Sequence, residues 1–170
     1  AEAWLAVGGG GRGGGVGDRR GGDVGGVVEV GGDAINDVSA GREDGAMLDL
    51  ASERGCGLVL MHRLAPPGDD RYSDAYTEAP RYDDVVAEVA RFLGERAEAA
   101  LGAGVARGSI VIDPGLGFGK SVEQNLTLIE GTDELVRMGM PVLSALSLKS
   151  VVGRVSLGRD SEPGERLALI

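Results

Sequence analysis

Cationic side chains are scarce in this 170-residue chain: 17 Lys and Arg stand against 27 Asp and Glu, giving a net charge of -10 with the one histidine neutral. A duplex-binding protein neutralises phosphates with clustered Lys and Arg. No such cluster occurs, which argues against nucleic acid as a partner. Long apolar runs are missing too. Runs such as Leu58–Met61 fall far short of the roughly 18 residues that a spanning helix needs, and no signal-peptide pattern is present, so no membrane association is expected. The single cysteine, Cys56, cannot form an internal disulfide, which suits a reducing cytoplasm. Between Gly55 and Gly57 it reads as a small buried hydrophobe. One histidine, His62, cannot assemble a multi-histidine metal site, and at a strand end it reads as a supporting or structural residue, with a catalytic role as the alternative.

What the chain has in excess is glycine, and unevenly. Fourteen of its 31 glycines fall within the first 32 residues. Ala1–Leu5 has the character of a helix end, whereas residues 8–15 offer almost nothing to bury and read as loop or linker. Residues 1–16 are therefore set apart as an unassigned glycine-rich segment, and residues 17–170 as one α/β domain. Within it, short apolar, β-branched runs at 34–38, 57–61, 110–113 and 142–146 predict buried strands. Helices are predicted between them. Residues 44–54 carry Met47, Leu48 and Ala51 on one side, with Gly55 as the stop. Residues 83–101 place Val85, Val86, Val89, Phe92, Leu93 and Ala97 on one face, with Asp83 as the N-cap. Residues 122–138 repeat the pattern with Leu126, Ile129, Leu135 and Val136, and Gly139 and Pro141 close it. Residues 63–81 form a long polar loop, read as a surface insertion, and the acidic run 95–98 is the solvated face of a helix.

Alternating strands and helices imply βαβ units around a parallel sheet. An open doubly wound sheet concentrates its site at one crevice, whereas a (β/α)8 barrel draws on every strand end. Here polar residues close each predicted strand: Asn36 and Asp37, Met61 and His62, Asp113, then Ser147 and Lys149. That distribution favours the barrel.

The most informative segment is IVIDPGLGFGKS at 110–121. Gly119, Lys120 and Ser121 match the end of a P-loop, but Pro114 stands where that motif requires glycine and has no N–H for a phosphate. The other reading starts from Asp113, at a strand end and followed by a Pro-Gly turn. Gly115, Gly117 and Gly119 let backbone approach a flat ligand, and Phe118 offers it an apolar face. A carboxylate there matches a planar edge with adjacent N–H donors, as in guanidine-like heterocycles. Simple capping of the next helix by Asp113 is the alternative.

The segments AINDVSAG (34–41), LVLMH (58–62), IVIDPGLGFGKS (110–121) and SLKS (147–150), in this order, resemble dihydropteroate synthase, the sulfonamide target of folate biosynthesis. YDDVV at 82–86 fits the same family's helix start. The resemblance implies that Asn36 and Asp113 bind the pterin, with Lys149 at its opposite edge. It further implies that Met61, Gly117 and Phe118 line the pterin and aminobenzoate pockets and that Ser150 holds the aminobenzoate carboxylate. Gly17-Asp18-Arg19-Arg20 before Asp23-Val24 resembles the family's V-D-T-x-x-x-x-V, which would make Asp18 a third pterin anchor.

The implied reaction joins 6-hydroxymethyl-7,8-dihydropterin pyrophosphate to p-aminobenzoate, with Asp113 and Lys149 carrying the catalytic electrostatics. Magnesium and a homodimer are implied by the resemblance alone, and the family's magnesium-binding asparagine loop is not recognisable. Leu148 stands in place of the arginine of S-R-K-S. A barrel of this kind takes about 250 residues, so a partial barrel, incomplete at both ends, is expected. A pterin-dependent methyltransferase domain and a non-catalytic relative of the synthase are the competing functional readings.

Overall fold

The structure, a computed structural model, describes residues 5–6, 14–16, 32–65, 78–146, 149–159, 161–162 and 165. Ten elements follow one another along these residues: β1 (Leu5–Ala6), β2 (Gly14–Val16), β3 (Gly32–Asp37), α1 (Ala46–Arg54), β4 (Gly57–Met61), α2 (Val85–Gly102), β5 (Ile110–Asp113), α3 (Val122–Glu130), α4 (Thr132–Val136) and α5 (Ser150–Leu157). A 3-10 turn at Arg107–Ser109 leads into β5.

The strands lie side by side in chain order, β1 to β5. β1 pairs with β2 antiparallel, and every later pairing is parallel. No strand order reverses among them, so the crevice of an open doubly wound sheet is not formed. Packing points the same way. Ile35, Leu58, Leu60, Ile110 and Ile112 are fully buried and share one core with Met47, Leu48 and Ala51 of α1 and Val85, Val89, Leu93 and Ala97 of α2. Helices thus cover this face of the sheet, as in a barrel wall. Each large aliphatic side chain buried there contributes about 1.5–3 kcal/mol.

The β4 and β5 limits match the sequence reading, and α1 stops at Gly55, whose φ of 62° closes the helix. Other limits move for local reasons. β3 ends at Asp37, one residue before Val38, because the chain turns there and the Ala40 N–H donates to the Asp37 carbonyl. The N-cap of α2 is Asp84 rather than Asp83, its carboxylate accepting from the N–H groups of Val86 and Ala87. The buried face of the predicted helix at 122–138 carries Asn125, Leu128 and Leu135, whereas Leu126, Ile129 and Val136 are exposed, because Asn125 turns inward to bond the preceding loop. The helix breaks at Gly131. A Cβ there would lie 2.8 Å from Val86 Cγ2, so the close packing of α3 on the start of α2 requires glycine.

Two further expectations are corrected. The run 142–146 makes only an isolated bridge from Val142 to Ile112, in which the Ile112 N–H donates to the Pro141 carbonyl and the Leu143 N–H to the Ile112 carbonyl; Pro141 has no N–H to extend it back toward Ile110. Leu5 lies in a strand, not a helix end, and Gly14 and Gly15 of the expected loop belong to β2. Pairing with β3 outweighs the poor strand propensity of glycine.

Candidate active site

Strand periodicity decides which polar residues meet. In the register Asn36 lies beside Val59, while Leu58, Val59, Leu60 and Met61 lie beside Ile110, Val111, Ile112 and Asp113. Side chains alternate between faces, so Asn36, Met61 and Asp113 share the face turned away from α1 and α2, at the C-terminal ends of their strands. Asn36 Oδ1 is buried there with no hydrogen-bond partner among the described residues. Asp37, one residue on, takes the opposite face and is fully buried. Its carboxylate accepts from the Ser39 N–H at 2.8 Å, the Ser39 hydroxyl at 2.7 Å and the Gly41 N–H at 2.5 Å. Asp37 is therefore consumed by its own turn, and the chemistry of this strand end belongs to Asn36 alone.

Asp113 is buried beside Met61. Its Oδ1 accepts from the Gly115 N–H at 2.7 Å, and its carbonyl accepts from the His62 N–H at 2.8 Å. Burial raises the carboxyl to about 6; the Gly115 N–H and the charges of Lys120 and Lys149 oppose that rise. Gly115 has a φ of 66°, and a Cβ on it would sit 2.0 Å from the His62 carbonyl oxygen. The loop therefore packs backbone against backbone over the end of β4, and no other residue type fits there.

The rest of the loop is held from within. The Gly117 N–H donates to Oδ1 of buried Asn125 at 2.8 Å, and Asn125 Nδ2 donates to the Ser121 carbonyl at 2.6 Å. Ser121 and Gln124 form a reciprocal capping box at the start of α3. Lys120 is fully buried, its Nζ donating to the carbonyls of Gly115 at 3.1 Å and Phe118 at 2.9 Å. A lysine turned inward onto loop carbonyls cannot reach a phosphate, which removes the P-loop reading. The Tyr82 hydroxyl donates to the Gly119 carbonyl and ties the loop to the approach of α2.

Phe118 meets two cations. Lys149 Nζ lies 4.0 Å from the ring centroid and Arg63 Cζ 5.0 Å from it. The Lys149 stem also lies against Gly117, where a Cβ would come within 3.1 Å of its Cδ. Ser150 opens α5, and its Oγ is buried without a partner among the described residues. The structure thus brings Gly117, Phe118 and Lys149 into contact, sets Met61 directly beside Asp113, and puts Asn36 on the same face. Asp18 lies outside the described residues, as do Ser147 and Leu148.

His62 has the structural place that its strand-end position suggested. Its ring meets Phe92 edge-on at 4.9 Å, and Nδ1 is buried with no partner among the described residues. Burial first, then the charge of Lys120, pushes its pKa down to about 3, so the ring is neutral. Three residues of the site were not singled out from sequence: Arg63, Tyr82 as a loop anchor, and Asn125. Only Asn125 left a signal, as an amide between apolar positions of a predicted helix.

A family model described as pterin binding enzyme matches residues 26–169. The chain belongs to the pterin-binding enzyme family. It is 42% identical over 140 residues to a dihydropteroate synthase from Streptococcus pyogenes, which covers 82% of this chain and 47% of that protein. The Xanthomonas albilineans dihydropteroate synthase solved with 4-aminobenzoic acid superposes with a TM-score of 0.77 at 41% identity, covering 91% of this chain and 51% of that one. The same enzyme in complex with 7,8-dihydropteroate gives a TM-score of 0.77 at 39% identity, covering 91% and 52%. The chain spans about half the length of the curated relatives it matches. The pterin-binding fold is the (β/α)8 barrel expected from the strand ends, and the described strands and helices form part of its wall. No helix among the described residues is long and apolar enough to cross a membrane.

Proposed function

We propose that this pterin-binding chain acts as a dihydropteroate synthase, joining 6-hydroxymethyl-7,8-dihydropterin pyrophosphate to p-aminobenzoate. The observation that carries the reading is the buried Asp113 carboxyl on the same strand-end face as the unpartnered Oδ1 of Asn36. A carboxylate accepts both N–H groups of a guanidine-like ring edge through paired, charge-assisted hydrogen bonds. An amide beside it reads the neighbouring ring atoms. The matched Xanthomonas albilineans enzyme, solved with 4-aminobenzoic acid and with 7,8-dihydropteroate, supports the aminobenzoate substrate and the dihydropteroate product.

In this reading the carbon–oxygen bond between the pterin methylene and the pyrophosphate breaks, and the electron-rich ring carries the developing positive charge. The aniline nitrogen of p-aminobenzoate attacks the methylene, forms the new carbon–nitrogen bond and gives up one proton; pyrophosphate leaves. No enzyme nucleophile is required. Catalysis is positioning and electrostatic stabilisation. Ionised Asp113 opposes the charge that builds on the ring, Asn36 fixes its orientation, and Lys149 bounds its other polar edge. Lys149 is held by the Phe118 ring, which also walls the aminobenzoate side. The Ser150 hydroxyl receives the aminobenzoate carboxylate as a donor. Met61 and Gly117 line the pocket, and a sulfonamide would compete for the aminobenzoate end.

Magnesium is proposed only as a companion of the pyrophosphate. Among the described residues no group of three or more His, Cys, Asp or Glu side chains could hold it, and no step above depends on it. Homodimer assembly and a cytoplasmic location are likewise proposed from the family resemblance, with the lone buried Cys56 in keeping with a reducing compartment.

The test is chromatographic. Purified protein given the pterin pyrophosphate, p-aminobenzoate and magnesium should yield 7,8-dihydropteroate and pyrophosphate in equal amounts. Pterin bound without any aminobenzoate consumed would overturn the reading in favour of a binding protein.

A further inference from the structure

A fully buried lysine next to a ligand-binding carboxylate is unusual, because an ammonium in a dry site must recover what it loses in hydration. Lys120 recovers part of it from two loop carbonyls, Gly115 at 3.1 Å and Phe118 at 2.9 Å. Gly115 is also the residue whose N–H donates to Asp113 Oδ1 at 2.7 Å. One glycine therefore connects the two charges: its carbonyl takes the ammonium and its N–H holds the carboxylate. The same glycine is pressed against the His62 carbonyl, and the other Lys120 acceptor belongs to Phe118, which carries Lys149 on its ring. The reaction described above gives Lys120 no task at the substrate.

We propose that Lys120 is a positioning residue for the pterin site: its buried ammonium pins the turn from Gly115 to Phe118 and holds Asp113 in its carboxylate form. The inference deepens the synthase reading and rests on it for the identity of the ligand. The charges facing Asp113 are consistent in sign. Lys120 and Lys149 both favour its ionised form, against the burial that disfavours it. His62, packed against Phe92 and facing Lys120 and Arg42, stays neutral and adds no competing charge. Lys120 thus acts in opposite directions on two neighbours, keeping the acid ionised and the imidazole uncharged.

A spacer that merely filled volume would weaken pterin binding equally at every pH. A charge acting through Asp113 would not. Lys120→Met keeps most of the volume and removes the charge. Its pterin affinity should fall at both pH values because the turn is loosened, by about tenfold or more at pH 6.5, where Asp113 also loses charge, and by about threefold less than that at pH 9. An equal loss at both pH values would overturn the proposal. Carboxyl 13C NMR of Asp113 reads the same effect with no ligand: its titration midpoint should move upward in Lys120→Met, and an unmoved midpoint would count against the proposal. This arm stays informative even where the native protein binds no pterin, an outcome that sinks the synthase reading alone. If Lys120→Met does not fold, the native protein decides the matter. The Lys120 15Nζ resonance should shift as Asp113 titrates near pH 6 and stay still in Asp113→Asn; a resonance that ignores Asp113 would overturn the assignment.

Discussion

The Lys149 ammonium lies 4.0 Å from the centroid of the Phe118 ring, which joins the glycine-rich loop after β5 to the residue that precedes α5. Two segments far apart in the chain meet in one cation–π contact. The contact restrains a lysine whose long stem would otherwise sample many rotamers. A partly desolvated pair of this kind contributes about 1–2 kcal/mol. Phe118→Leu should therefore weaken pterin and aminobenzoate binding by about threefold to thirtyfold. Lys149→Met should lower kcat/KM by about a hundredfold or more. Steady-state kinetics of the two variants check both. A Phe118→Leu enzyme with unchanged KM for both substrates would show that the ring does not set the lysine.

In the proposed reaction Asp113 should set the acid limb of the activity. Its carboxyl titrates at about 6, raised by burial from an ordinary value of 3.8. Pterin affinity should rise with pH through this midpoint and level off above about pH 7. Isothermal titration between pH 5 and 8 measures it. Asp113→Asn should flatten the profile and weaken binding by about a hundredfold, since a charge-assisted pair is lost.

The same substitution should stabilise the unliganded fold. A carboxyl whose folded pKa lies above its unfolded one binds its proton more tightly when folded, so the contribution of Asp113 to stability is greatest at low pH. It declines as pH rises from about 3.8 to about 6. The full difference is on the order of 3 kcal/mol. Asp113→Asn removes that penalty, and its Tm should exceed the native value at pH 7.5 but not at pH 4. Thermal melts at the two pH values give the comparison, and a variant less stable at both would contradict it.

His62 should act on stability in the opposite sense. Its folded pKa, about 3, lies below the ordinary 6.5 because burial disfavours the charged ring. Stability is complete above pH 6.5 and falls as pH drops from there toward 3, since the unfolded chain takes up the proton first. His62→Phe, packed against Phe92 and Tyr82, should reduce this acid sensitivity. Urea midpoints at pH 7 and pH 5 report it, and a His62→Phe chain that loses as much stability on acidification as the native chain would exclude His62 as the source.

Two glycines with nearly the same backbone angle should respond differently to alanine. Gly115 has a φ of 66° and Gly55 a φ of 62°. A Cβ at Gly55 meets nothing within 4 Å, whereas at Gly115 it falls 2.0 Å from the His62 carbonyl oxygen. Gly55→Ala should cost about 1 kcal/mol, the left-handed strain alone. Gly115→Ala must also displace the loop, and should cost about 3 kcal/mol or more while removing pterin binding. Equal costs in denaturant unfolding would mean that the loop does not rest on the end of β4.

The sequence by itself determined what depends on near neighbours. The β4 and β5 strands are short apolar runs with distinct stops, and both ends match the structure. One face of α2 follows from spacing, and the turn after Asp113 follows from Pro-Gly. The places of Asn36, Met61 and Asp113 near strand ends, and of Gly117, Phe118 and Lys149 in the segments that follow strands, were legible because such positions are local properties of the chain. Tertiary structure decided the rest. Asn36 and Asp37 look equivalent in the chain, yet strand alternation and helix packing send one to the site and lock the other in its own turn. Gly131 interrupts a helix that its own periodicity would continue, and Val86 of another helix leaves no room there for a Cβ. Lys120 matches the end of a P-loop in the chain, but the loop closes over it and its ammonium finds two carbonyls. Arg63 becomes part of the site only when Phe118 comes beneath it. Each of these outcomes turns on desolvation and on close approach between residues distant along the chain, which local spacing does not encode.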